Sequence, residues 1–310
     1  MDMRPLGKTG FKISVLGFGG GPVGFDATGQ ETVTEVLNTL LDQGVNLIDT
    51  AAAYKGSEEA IGKAVGNRRD EYVLVSKCGR PDDEIQGEPW SAEVISTTVD
   101  RALRRLRTDR LDVMLLHSCE LEILEQGEAI EALVKARNAG KIRHLGYSGD
   151  NEVAVWAAKH PEVAVIETSL NICDQTNVDA LLPETRARAI GVLAKRPIAN
   201  GAWRQTSEIS PFYLDYSRDY AARLNAMGVS PADLGFDGDP AKAWPEIALR
   251  FTLAQPGMTT AIVGTTKDSH LKANLAAAEK GPLPAEAVDT LRAAFRKAEA
   301  ASGETWPGLR

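Results

Sequence analysis

Val45-Asn46-Leu47-Ile48-Asp49, Val73-Leu74-Val75-Ser76-Lys77 and Val113-Met114-Leu115-Leu116-His117 are apolar runs that stop on an acid, an ammonium and an imidazole. Each is short and bounded like a strand buried on both faces of a parallel sheet. Three later runs follow the same rule: IRHLGYS ends at Ser148, VAVIE at Glu167 and VLAK at Lys195. In a closed barrel of parallel strands such terminal residues converge on one rim, where barrel proteins build their reactive sites. Ordinary core strands end in turn residues. These end in groups that can move protons.

Working outward, helix and strand alternate with a repeated punctuation. LNTLLDQG-VNLID, VKARNAG-KIRHLGYS and ETRARAIG-VLAK each read as helix, glycine, strand, which predicts left-handed helix terminators at Gly44, Gly140 and Gly191. Apolar stripes at helical spacing run through Val33, Val36, Leu37, Leu40 and Leu41, and again through Val94, Val99, Ala102 and Leu106 behind a Ser91 cap. Strands are expected near Leu16–Gly19, Asn46–Asp49, Val73–Lys77, Val113–His117, Ile142–Ser148, Val163–Glu167, Val192–Lys195 and Thr260–Gly264. Ahead of them, MRPLGKTGFKISVLG reads as two short strands around Gly7-Lys8-Thr9-Gly10, a hairpin able to plug one barrel end. Eight βα units within about 260 residues fit the α/β class and a (β/α)8 TIM barrel. No composition shift divides residues 1–310, which read as a single barrel domain.

The charge balance excludes one class of partner. With 35 Lys+Arg against 43 Asp+Glu the formal net charge is −8, so no basic excess exists to neutralise nucleic-acid phosphates. The opening MDMRPLGKTG lacks an apolar signal core, and no apolar run has membrane-spanning length. Cys78, Cys119 and Cys173 are odd in number and far apart, which predicts buried thiols in a cytoplasmic protein, although Cys78 and Cys119 adjoin strand ends. Nothing in the sequence marks an oligomer interface.

Several motifs lead nowhere. Gly19-Gly20-Gly21-Pro22-Val23-Gly24 spells a dinucleotide fingerprint, but Pro22 and VGFDATGQ follow, and helical periodicity is expected only from about Glu31. Gly7-Lys8-Thr9 resembles the end of a phosphate loop, yet Asp2 occupies the upstream glycine position. His117, His144, His160 and His270 offer no pair at ligand spacing, so no metal site is expected.

One connection is too long to be a link. Between Ala199 and Pro240 the chain carries Trp203, Phe212, Tyr213, Tyr216 and Tyr220, with a short helix expected from Ser210-Pro211. It reads as a lid or binding wall on the reactive rim, or as an excursion with its own small core. The tail SGETWPGLR holds Trp306, which either closes over that rim or packs.

The reactive residues form a coherent set. Asp49-Thr50-Ala51-Ala52-Ala53-Tyr54 sets a tyrosine five residues beyond a strand end. Lys77 and His117 end the next two strands, and neighbouring strands lie about 4.8 Å apart. A cation about 4 Å from a phenol, at an effective dielectric of about 20, favours the phenolate by about 4 kcal/mol, or roughly three pK units. Lys77 supplies that cation, Asp49 holds it, and His117 can orient a carbonyl oxygen. A tyrosine so tuned is a general acid for reducing a carbonyl and a base for the reverse.

LGFGGGPVG, DTAAAY, VSKCG, LLHS, GYSG, ALRFTLAQPG and AIVGTTKDSHLKANL make the chain resemble the aldo-keto reductase family over nearly its whole length. The resemblance implies a (β/α)8 barrel that uses NADP(H) or NAD(H) without a Rossmann domain. It sets Asp49, Tyr54, Lys77 and His117 on the family's catalytic tetrad. His117 implies carbonyl reduction rather than the ring double-bond reduction found where a glutamate stands there. Ser148 matches the serine that holds the nicotinamide carboxamide. Other positions depart: Gly149 replaces a frequent asparagine, Glu167 a carboxamide-binding glutamine, and Lys195 a ring-stacking tyrosine. An ionised Glu167 accepts from the carboxamide NH2 but does not donate to its oxygen. Lys195 has Glu167, Asp150 and the pyrophosphate open to it. Gly264, Thr265, Thr266, Lys267, His270 and Asn274 match the adenosine-phosphate segment, where backbone N–H groups and Lys267 can bind a 2′-phosphate. His270 stands at the usual arginine and Gly264 at the frequent lysine, so NADP(H) is preferred and NAD(H) stays open.

The expected activity is NAD(P)H-dependent reduction of a small-molecule aldehyde or ketone, or oxidation of the corresponding alcohol or sugar. Two other classes fit the same residues. A Schiff-base aldolase would use Lys77 or Lys195, but Asp49 keeps Lys77 protonated and non-nucleophilic. A cofactor-binding regulatory subunit with little turnover would accommodate the altered carboxamide contacts.

Overall fold

The computed structural model describes residues 1–309 except Ala27, Thr206, Glu208 and Ser210, and only the backbone of Phe212. The expected helix start at Ser210 and the Phe212 side chain therefore lie outside the described residues. Strands β1 (Met3–Pro5) and β2 (Lys12–Ser14) pair antiparallel around a helical turn at Gly7–Thr9. The other eight strands are β3 (Leu16–Gly19), β4 (Leu47–Asp49), β5 (Val73–Cys78), β6 (Leu111–His117), β7 (Ile142–Ser148), β8 (Val163–Ser169), β9 (Gly191–Lys195) and β10 (Thr260–Val263). They close in sequence order, with β10 bonded to both β9 and β3, into an all-parallel barrel ringed by helices. The expected (β/α)8 architecture is the observed one.

The barrel interior explains both the hairpin and the apolar runs. Leu47, Val73, Val75, Val113, Leu115, Val165, Leu193 and Ile262 form one buried cluster with Leu6 and Ile13 of the hairpin. Leu6 and Ile13 are fully buried, so β1–β2 plugs the end of the barrel opposite the strand C-termini. Burying a Leu or Ile side chain stabilises by about 1.5–3 kcal/mol. Outside, the helix Gln30–Asp42 buries its whole stripe of Val33, Val36, Leu37, Leu40 and Leu41. The helix Ala92–Arg105 is capped as expected, the Ser91 hydroxyl accepting from the Val94 N–H at 3.3 Å.

Three local expectations need correction. Gly44 (φ 78°) and Gly140 (φ 76°) do end helices in the left-handed region, but Gly191 does not; Ala189 (φ 50°) takes that conformation instead. Gly191 opens β9, where a Cβ would sit 2.4 Å from Leu6 Cδ1, so the glycine makes room for the plug. The periodic helix begins at Gln30, beside the expected Glu31, but an extra helix of five residues, Gly21–Phe25, follows β3 directly, with Pro22 in its first turn where no N–H is needed. The short helix expected after β9 is a helical turn at Pro211–Tyr213, and it runs on into a full helix, Leu214–Met227. Among the described residues no helix is long and apolar enough to cross a membrane.

Candidate active site

The strand register sets His117, Ser148, Glu167 and Leu193 side by side along the C-terminal rim, with Asp49 and Lys77 on the strands just before them. At this rim the backbone turns sharply. Ser118, Asn151 and Arg196 all lie in the left-handed region, the first and last directly after His117 and Lys195. Such conformations cost on the order of 1–3 kcal/mol each and persist where surrounding contacts over-determine them.

Lys77 is the centre of the arrangement. Its side chain is fully buried, and Nζ donates to both Asp49 oxygens at 2.6 and 2.7 Å and to the Thr50 carbonyl at 2.9 Å. From the opposite side, Glu167 Oε2 approaches the same ammonium at 3.2 Å. Two strands separate β5 from β8, so this contact crosses the barrel interior. Burial works against the ammonium, but Asp49 and then Glu167 reverse that and hold its pKa well above the ordinary lysine value. Burial and the Glu167 carboxylate push Asp49 up, while Lys77 pulls it back.

Tyr54 is half-buried beside this cluster, with Lys77 Nζ 5.3 Å from its ring centroid. The His117 ring meets it edge-on at 6.1 Å, and Phe25 packs against its other side at 5.1 Å. The expected depression of the phenol is not observed. Burial raises Tyr54 to about 12; Lys77 counters it, and Asp49 and Glu167 add to it. The physical reason is that withdrawal from water outweighs the nearby ammonium, whose pull on the phenol the Asp49 and Glu167 carboxylates also oppose. His117 is held well below its usual pKa by burial and by Lys77, Arg80 and Lys195, so its imidazole is neutral and keeps one N–H donor.

Of the partners open to Lys195, the structure selects Asp150, at 3.0 Å from Oδ2. Asp150 also accepts from the Thr168 hydroxyl at 2.8 Å and the Ser169 N–H at 2.6 Å. Ser148 is buried beside it. Arg196, which the sequence reading passed over, stacks on Tyr216 at 3.9 Å and donates to Ser169 Oγ and the Leu309 carbonyl. The tail therefore reaches the rim through Leu309, and through Gly308, which exchanges hydrogen bonds with Asn151. Trp306 packs against Phe295. Asp174 accepts from Tyr220 at 3.0 Å and the Leu309 N–H at 3.2 Å; burial, then Asp150, push it up to about 7.

The excursion divides its aromatics between the two roles the sequence left open. Trp203 stacks on Trp244 at 6.0 Å and Tyr220 is fully buried, which makes a small core. Tyr213 reaches back over the rim, its hydroxyl 2.6 Å from where a Cβ on Gly21 would lie. At the other edge, Gly264 to Lys267 lead into the helix Asp268–Glu279, whose N-terminus has no side-chain cap. Its first N–H groups are thus available to an anion. His270 is lowered by burial, Lys267 and Arg204, so a second cation from the excursion lies near this segment. Asn274 on the same helix is buried, lining a small cavity with Thr265 and Val263. Cys78, Cys119 and Cys173 are buried and form no disulfide among the described residues. His144 packs on Phe11 and His160 on Trp156, away from the rim.

A parallel barrel with proton-moving groups gathered at the C-terminal rim defines an enzyme of the TIM-barrel class. Residues 15–296 match the sequence profile of the Aldo/keto reductase family, and the chain belongs to that family of oxidoreductases. It is 28% identical to L-galactose dehydrogenase of Arabidopsis thaliana, over 99% of this chain and 97% of the relative. Among solved structures it is similar to aldo-keto reductase AKR11C1 from Bacillus halodurans in its holo form (TM-score 0.79, 26% identity, 95% of this chain and 96% of that one). It is also similar to an aldo/keto reductase from Klebsiella pneumoniae in complex with NADP and acetate (TM-score 0.68, 25% identity, 92% of each chain).

Proposed function

We propose that residues 1–310 form one catalytic domain that interconverts an aldehyde or ketone with the corresponding alcohol or sugar, with Tyr54 as general acid/base and NADP(H) as the preferred cofactor. The observation that carries this reading is the fixed Lys77 ammonium, buried against Asp49 and set beside the Tyr54 ring, with the neutral His117 edge-on. A nicotinamide dinucleotide, when bound, supplies or accepts the hydride. Everything else falls to the chain. With a pKa of about 12, Tyr54 holds its proton at neutral pH and is ready to give it to a carbonyl oxygen. His117 donates its N–H to the same oxygen and fixes its position. Asp49 keeps Lys77 charged and fixed beside the Tyr54 ring.

The residues suit the cofactor at both ends. Ser148 and Glu167 lie side by side on the rim and Lys195 ends the next strand, Glu167 having a buried oxygen without a hydrogen bond among the described residues. Gly264, Thr265, Thr266, Lys267, His270 and Asn274 form the adenosine end, and Arg204 adds the second cation that the sequence pattern lacked. Two cations near an uncapped helix suit a 2′-phosphate better than one. A Schiff-base reading fails on Lys77, which is held protonated by two carboxylates. A screen of NADPH and NADH against aldehydes, ketones and, in reverse, alcohols and sugars tests the proposal. Carbonyl-dependent oxidation of NADPH, faster than of NADH, is expected; no turnover with any pair would overturn it.

A further inference from the structure

The charged groups that line the reactive centre balance one another. Lys77, Lys195 and Arg196 face Asp49, Glu167 and Asp150, and Arg223 lies by Asp174. One rim cation stands outside that set. Arg80 is exposed, just beyond the end of β5. Its Nε donates to the His117 carbonyl at 3.5 Å, while its two terminal NH2 groups make no hydrogen bond or ion pair among the described residues. Residues 79–91, the loop that carries it, contain Asp82, Asp83, Glu84 and Glu88. Asp82 grips Arg101 at 2.5 and 2.8 Å and Glu84 turns to Arg105 at 2.7 Å, both on the helix Ala92–Arg105. Asp83 and Glu88 are exposed and pair with no cation among the described residues.

The loop closure holds Arg80 in place. The Trp90 N–H donates back to the Gly79 carbonyl at 2.6 Å, and the indole lies so close over Gly79 that a Cβ there would sit 2.2 Å from Cδ1. The Arg80 guanidinium lies over that indole, 5.7 Å from the ring centroid. A guanidinium whose face rests on an aromatic ring keeps its N–H edge for an acceptor. That edge is at the end of β6, next to the imidazole: after burial and Lys77, Arg80 is the next influence that holds His117 low. Trp90 Nε1, in the same wall, is a buried donor without an acceptor among the described residues. We propose that Arg80 is a specificity-determining residue that takes a carboxylate of the substrate, so that the carbonyl compound is an aldehyde or keto acid and the alcohol a hydroxy acid. The proposal rests on the reaction assigned above and adds the substrate class. A carbonyl oxygen held by Tyr54 and His117 leaves a carboxylate on the same molecule within reach of the Arg80 edge. The N–H fork matches the two oxygens of a carboxylate. A phosphate ester, with a charge of about −1.5 to −2, calls for more than one cation. The formal net charge of −8 repels anions at long range, so a preference for an acid has to come from a local cation.

The test is kcat/KM with NADPH for succinate semialdehyde, glutarate semialdehyde and glucuronate, each against its methyl ester, in wild type, Arg80→Gln and Arg80→Lys. At least one acid should exceed its ester by more than about fivefold in wild type, chiefly through a lower KM. Arg80→Gln should cut that ratio by more than about fivefold, and Arg80→Lys, which keeps the charge but not the fork, should cut it less. A wild-type ratio below about fivefold for every pair, or a smaller cut in Arg80→Gln, would sink the proposal. Turnover of neutral carbonyl compounds without any of the acids would sink it too, while leaving the reaction itself intact. No turnover of any carbonyl compound, charged or neutral, would overturn both.

Discussion

Replacing Lys77 with methionine removes the charge on which the site turns while roughly preserving its volume. At an effective dielectric of about 20, the 5.3 Å from Nζ to the Tyr54 ring centroid corresponds to about 3 kcal/mol, or roughly two pK units. The phenol, already at about 12, becomes a still weaker acid, and nothing holds it toward the substrate oxygen. A loss of this size slows the chemical step by about a hundredfold or more. Asp49 and Glu167 are also left buried without their cation, an unpaired arrangement that costs about 3–5 kcal/mol until the carboxylates take up protons. The assay is kcat/KM for NADPH-dependent carbonyl reduction, with thermal melting measured alongside. The variant should melt lower and turn over at about one hundredth of the wild-type rate or less, while still binding NADPH at its adenosine end. A folded Lys77→Met chain within about tenfold of wild type would refute the assignment of Lys77 as the tuning cation.

Other expectations follow from the same geometry. Gly191→Ala places a Cβ 2.4 Å from Leu6 Cδ1 and should destabilise by about 1–3 kcal/mol in denaturant unfolding without altering KM; an unchanged midpoint would mean the plug does not seat on β9. Lys267→Ala, alone or with Arg204→Ala, should raise KM for NADPH about threefold to tenfold and leave that for NADH nearly unchanged; equal effects on both would place the 2′-phosphate elsewhere. Asp174 carries a folded pKa raised to about 7, so its contribution to stability is present at low pH and is lost as pH rises through about 7. Asp174→Asn should therefore lose less Tm than wild type between about pH 5 and about pH 8, and parallel curves would contradict this.

The barrel was legible because parallel strands buried on both faces need continuous apolar runs, and their ends announce themselves by a change to polar side chains. Asp49, Lys77 and His117 could be assembled from sequence because they end consecutive strands, which lie next to one another in a sequential barrel. The Lys77–Glu167 contact could not. It joins strands three places apart, and only closure of the barrel brings their inward-facing ends together. Glu167 adds to a reversal on Tyr54 whose main cause is burial, which outweighs the ammonium. Gly191 misled because steric room for a neighbour and freedom of φ leave the same letter in the sequence. Arg196 and Arg204 were hidden for a related reason. They lie in or beside the long connection after β9, whose path depends on tertiary packing such as Trp203 on Trp244 rather than on any periodic pattern.

The most direct measurement is single-turnover oxidation of bound NADPH by a carbonyl substrate in wild type and Tyr54→Phe, with the NADPH dissociation constant determined for both. Loss of the oxidation step with cofactor affinity retained is the expected outcome. A Tyr54→Phe chain that oxidises NADPH at close to the wild-type rate would contradict the role assigned to the phenol.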